Sequence, residues 1–62
     1  MQVIHRDAHW QFEESLLVKQ LLERLELLPE SVLVVCNGQL VTEDHRLQPD
    51  DAVNIVSVIS GG

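Results

Sequence analysis

Ser60-Gly61-Gly62 is the stretch with the clearest chemical potential in this sequence. Glycine has no Cβ, so a Gly-Gly end takes up nearly any backbone conformation and fits where side chains cannot. It leaves the carboxylate of Gly62 sterically bare, and a narrow tail of this kind can be fed into the active site of another protein. The competing reading is a frayed end, where small residues are common. The segment before it, Ala52 to Ile59, is apolar and rich in β-branched residues, as a buried strand is. A core strand that runs straight into two glycines presents them, and that is the reason to take the tail seriously.

Other reactive side chains are few. Cys36 is the single cysteine and sits in an apolar run, where a thiol serves as a small core residue. One cysteine excludes an internal disulfide and a four-cysteine iron–sulfur centre. His5, His9 and His45 have no spacing, with each other or with Cys36, that matches a common zinc pattern, so no metal site is expected. Glu43, Asp44, Asp50 and Asp51 read as turn and surface residues rather than as a paired acid and base. No glycine-rich phosphate loop of the P-loop or dinucleotide type is present.

Ten acidic residues against four basic ones give a net charge of −6 over 62 residues. Direct nucleic-acid binding relies on Lys and Arg at phosphates, so that class is disfavoured. A protein partner with a basic docking surface is favoured instead. The longest unbroken apolar stretch, Val32 to Cys36, is too short to span a bilayer, and residues 1–5 carry no secretory pattern. A reducing, cytoplasmic setting is the expectation.

The elements that must position the tail follow from hydrophobic periodicity. Residues 1–5 and 10–13 read as the two strands of a hairpin around a polar turn at Arg6 to His9, with Trp10 and Phe12 facing the same way. Ser15 is the expected N-cap of a helix of about three turns. Its core stripe is Leu17, Leu21, Leu25 and Leu28, flanked by Val18 and Leu22, and Pro29 is expected to end it. Residues 31–36 form a strong strand, Asn37-Gly38 a tight hairpin turn, and residues 39–41 a short returning strand. Thr42 to Leu47 reads as irregular, Gln48 to Asp51 as a turn, and the terminal strand follows. A hairpin, one crossing helix and a second group of strands give an α+β fold: a mixed four- to five-stranded sheet, first and last strands parallel at its centre. This is the β-grasp, ubiquitin-like arrangement, with residues 1–59 as the domain and 60–62 as a flexible tail. Alternation along the last strand turns Val53 and Ile55 toward the helix. It leaves Val56 and Val58 on the open face beside Leu33 or Val35, and these four are the candidate partner-binding residues.

With that fold, three stretches carry a resemblance to a known family. They are Pro29 to Gly38 (PESVLVVCNG), Leu47 to Asp51 (LQPDD) and Val58 to Gly62 (VISGG). The chain resembles, over essentially its whole length, the ThiS and MoaD sulfur carriers and the ubiquitin-related protein modifiers. Its ending is most similar to carriers that supply sulfur for tRNA 2-thiolation. MoaD proteins often have prolines before the tail, where Ser57 and Val58 stand here, and this departure disfavours a molybdopterin role.

The resemblance implies a co-substrate rather than an enzyme. A ubiquitin-activating-type adenylyltransferase would use ATP to adenylate the Gly62 carboxylate, with no cofactor bound by the carrier itself. A sulfur donor such as a cysteine desulfurase or rhodanese would then convert it to a thiocarboxylate. A sulfur-accepting enzyme would receive the atom, in thiamine thiazole synthesis or tRNA 2-thiolation. Gly61 would thread the partner's channel and Gly62 would keep the reacting carbon unhindered. Two alternatives use the same fold: a modifier conjugated to lysines through Gly62, and a β-grasp interaction domain with an inert terminus.

Overall fold

The structure is a computed structural model that describes residues 1–58. Ser60, Gly61 and Gly62, on which the tail reading rests, lie outside the described residues. Seven strands and one helix follow in order: β1 (Gln2–His5), β2 (Ala8–Gln11), β3 (Leu16–Leu17), α1 (Val18–Arg24), a 3₁₀ turn (Pro29–Ser31), β4 (Val32–Cys36), β5 (Gln39–Val41), β6 (Arg46–Leu47) and β7 (Ala52–Ser57). The main sheet has the order β2-β1-β7-β4-β5, and β3 and β6 form a separate two-stranded piece. β1 and β7 are parallel, Val3 opposite Val53, and every other pair is antiparallel. This is the β-grasp α+β fold that the sequence predicts.

Alternation along the strands decides which face is buried. Val3, Val32, Val34, Cys36, Val53 and Ile55 are the buried residues of the main sheet, and with Met1, Leu16, Val18, Leu21, Leu22 and Leu47 they make the core. Trp10 and Phe12 both pack against its edge. Among the described residues no polar or charged side chain is buried, as a small core that cannot satisfy them requires.

The helix departs from the sequence expectation at both ends. It is seven residues long rather than three turns. Leu16 and Leu17 pair with Leu47 and Arg46 as strand instead of opening it. Ser15 is therefore no N-cap: its hydroxyl donates to the Leu47 carbonyl at 2.9 Å and accepts from Arg46. Leu17 holds the cap position with extended φ and ψ, and Gln20 Oε1 accepts its backbone N–H at 2.9 Å, the returning half of a capping box. Thr42 to Leu47, expected as irregular, supplies β6 and the carbonyls of Glu43 and His45 that accept from Lys19 and Val18. Two of the orphan N–H groups of the helix are satisfied by that loop and a third, that of Leu17, by the Gln20 side chain.

At the other end Pro29 does not stop the helix. It ends four residues earlier, where Glu26 enters the left-handed region at φ 59. The Leu27 N–H donates to Leu22 O and the Glu26 N–H to Glu23 O, which is a Schellman closure built without glycine. Pro29 instead starts the 3₁₀ turn leading into β4. The first hairpin also turns earlier than expected, at Arg6-Asp7, so Ala8 and His9 belong to β2. The Asn37-Gly38 turn is as the sequence predicts. Both residues have positive φ, 52 and 84, the two-residue geometry that matches strand twist.

Candidate functional site: the open sheet face and the end of β7

Helix α1 covers one face of the sheet; the other carries the candidate partner residues. Register places Leu33 opposite Val56 and Val35 opposite Asn54. Directly opposed residues point to the same side. Leu33, Val56 and Val58 are 46%, 45% and 44% exposed, and Val35 is half-buried. Pairing through all five strands continues the row: His9, Ile4, Asn54, Val35 and Leu40 lie side by side from β2 to β5. Ile4 and Leu40 are themselves exposed large apolar residues. Neither is among the candidates read from the sequence, because only pairing register, not periodicity within one strand, joins them to this face. A shallow cavity of about 370 Å³ lies on it, lined by Gln2, Ile4, Val35, Asn37 and Asn54 among others. The exposed and half-buried apolar residues of this face thus fall in two groups, Ile4 on one side of Asn54 and Leu33, Val35, Leu40, Val56 and Val58 on the other.

β7 delivers the chain beyond residue 58. Its pairing runs past the strand proper, with the Val58 N–H donating to the Ser31 carbonyl at 2.8 Å. The Arg6 guanidinium donates to Ser57 Oγ at 3.4 Å and His5 Nδ1 lies 3.1 Å from the Ile55 carbonyl. The central strand is thus tied to Ser57 on the β1 side and to Val58 on the β4 side. Gly61 and Gly62, the expected site of chemistry, are outside the described residues.

The remaining reactive groups sit at the other end of the sheet. Cys36 closes β4 and is buried, as the sequence predicts for a core thiol. Burial first, and then the neighbouring Asp51 as acceptor and negative charge, push its thiol pKa up, which keeps it protonated and poorly nucleophilic. Asp51 precedes β7. It accepts from the Gln48 backbone N–H and from Asn37 Nδ2, both at 2.9 Å. These bonds, with smaller contributions from Cys36 and His45, hold its carboxyl below the usual carboxylate range. Asn37 Oδ1 accepts the Ala52 N–H at 3.0 Å, so Asn37 and Asp51 together lock the turn into β7. His45 lies beside Cys36 and Asp51. Sequence spacing gave no reason to join these residues, because His45 and Asp51 lie in two separate loops that the fold brings to the end of β4. Among the described residues no other cysteine, histidine and carboxylate group of this kind assembles. No helix among them is long and apolar enough to cross a membrane.

Comparison with known proteins agrees with this architecture. The model of the ThiS family matches residues 1–62. A sulfur carrier protein, TtuB, from Thermus thermophilus is 36% identical over 45 residues, 73% of this chain and 69% of that protein. The crystal structure of thiamine biosynthesis protein ThiS from Geobacter metallireducens superposes with a TM-score of 0.70 at 26% identity, covering 100% of both chains.

Proposed function

This chain belongs to the ThiS family of sulfur carriers, and on that premise we propose that its Gly62 carboxylate is the atom-carrying group. A partner adenylyltransferase docks on the open sheet face. The Gly62 carboxylate attacks the α-phosphorus of ATP, pyrophosphate leaves, and the carbonyl carbon becomes a mixed anhydride with AMP. A donor persulfide sulfur displaces AMP to give an acyl disulfide. A second thiol on a partner protein attacks the donor's cysteine sulfur, forming a disulfide with it, and the transferred sulfur stays on the carrier as the thiocarboxylate. The chain's own Cys36 is 5% exposed and takes no part, so both thiols come from partners. The chain is then a co-substrate, and the catalysis belongs to the enzymes that hold it.

The observation that carries this reading is the family match over the whole of residues 1–62, Gly-Gly end included, on a fold whose central strand leads toward that end. A sulfur acceptor in thiamine thiazole synthesis or tRNA 2-thiolation fits the chemistry, the second on the similarity of the VISGG ending.

The test is intact mass spectrometry after incubation with ATP, the activating enzyme and a persulfide donor. The expected result is the mass gain of one sulfur-for-oxygen exchange, lost on deletion of Gly62. An unchanged mass overturns the reading. Covalent conjugates on target lysines, without the exchange, assign the chain to protein modification instead.

A further inference from the structure

Three side chains from separate segments converge where β4 ends and β7 begins. Cys36 Sγ, a His45 ring nitrogen and an Asp51 carboxylate oxygen all lie within 4.8 Å of one another. We propose that they form a binding site for a divalent transition cation of the zinc class, with three protein ligands and a fourth position open to water.

The donor set fits that class. One thiolate, one imidazole and one carboxylate mix soft and borderline donors, which favours zinc or cobalt over calcium or magnesium. In a tetrahedral zinc site the metal–ligand bonds are about 2.0–2.3 Å long, which sets donor atoms roughly 3.5 Å apart. The three donors, now within 4.8 Å of one another, need close by no more than about 1.3 Å. His45 is on the exposed loop before β6, and its side chain can make that movement without disturbing the core.

Two further features favour the site. The Asp51 carboxylate is aimed by its bonds from Asn37 and Gln48. Outer partners of this sort orient metal-binding carboxylates and strengthen binding. A cavity of about 370 Å³ opens beside the cluster, lined by Cys36, His45 and Asp51 with Gln39, Arg46 and Gln48 among others. It gives the cation a way in and space for a bound water. On binding, the Cys36 S–H bond breaks, its proton goes to solvent and the sulfur–metal bond forms; His45 binds through a neutral nitrogen and Asp51 as the carboxylate.

The site is far from the tail. Asp51 and Val58 are separated by the length of β7, roughly 20 Å in extended chain. A cation here does not take part in sulfur transfer. It staples the hairpin end, the loop before β6 and the turn into β7, closing the segment between residues 36 and 51. In a chain too small to build a large core, that staple adds directly to stability.

The experiment uses the full chain without a histidine tag, stripped with EDTA and titrated with Co²⁺. One equivalent should bind with a thiolate-to-cobalt charge-transfer band and the visible spectrum of tetrahedral cobalt, both displaced by Zn²⁺. Cys36→Ser should abolish the charge-transfer band. His45→Ala, at an exposed position that leaves the fold intact, should weaken binding by about tenfold or more. Zn²⁺ should raise the melting temperature of the wild type and not that of His45→Ala. Absence of the thiolate band, equal affinity in His45→Ala, or an equal zinc-induced rise in both proteins overturns the site.

Discussion

Leu33 on β4 lies directly opposite Val56 on β7, and each is close to half exposed. The pair sits on the face that α1 does not cover, and Val56 is two residues before Val58, the last described residue. Docking of the activating enzyme on this face, as proposed above, would remove that apolar surface from water. Val56→Asp should therefore raise the KM for the carrier in the adenylation reaction by about tenfold or more, since a charge in the centre of a docking face costs well over 1.4 kcal/mol. The melting temperature should fall only slightly, because the side chain is outside the core. An unchanged KM would remove this face from the docking surface. Leu40→Asp, at the far edge of the same face, should have the smaller effect.

A second expectation concerns Glu26, whose φ of 59 closes the helix in a position where glycine normally stands. A side chain in the left-handed region costs about 1 kcal/mol. Its side chain is exposed, so little packing is lost on removing it. Glu26→Gly should stabilise the chain by up to about 1 kcal/mol, read as a higher urea midpoint with an unchanged slope. Destabilisation instead would mean that the Glu26 side chain makes a favourable interaction exceeding the backbone strain.

Acid stability should depend on Asp51. Its carboxyl is lowered in the folded chain, first by the Gln48 backbone bond and then by Asn37. The stabilisation is fully present above the ordinary carboxylate pKa of about 3.9. It is lost as the pH falls through the lower folded value, where protonation removes a charged acceptor. Urea midpoints in EDTA should therefore fall with pH in the acid range for the wild type. Asp51→Asn should be less stable near neutrality and show a shallower acid loss. Parallel curves for the two proteins would show that other carboxylates set the acid limit.

The strand order and the parallel centre were legible because strong signals coincide. Asn37-Gly38 fixes one hairpin, the apolar runs of β4 and β7 fix the middle, and too little chain remains for a second helix. The inward set Val53 and Ile55 follows from period-two alternation. What the sequence concealed lies where two periodicities agree locally. Leu16 and Leu17 fit a helical stripe, and only Leu47, thirty residues away, recruits them into β3. Ser15 has the chemistry of an N-cap, but its hydroxyl is taken by the Leu47 carbonyl and Arg46. Glu26 gives no sign of a helix end, since a left-handed glutamate has no sequence signature. The continuation of the open face through Ile4 and Leu40 is likewise a product of register, and the meeting of Cys36, His45 and Asp51 a product of how two loops fold over the end of β4.

The clearest test of that distinction is the pair Leu21 and Leu28, which helical spacing puts on one apolar line. In the folded chain they are opposites. Leu21 is fully buried on α1, while Leu28 follows the helix end and is 62% exposed. Leu21→Ala leaves a cavity under the helix and should cost about 2–5 kcal/mol. In a domain of this size that is a large part of the total stability, so the variant should be largely unfolded at room temperature by circular dichroism. Leu28→Ala should change stability by no more than about 0.5 kcal/mol. If both substitutions cost the same, the helix runs on to Pro29 as the periodicity alone implies, and the Glu26 closure is not its end.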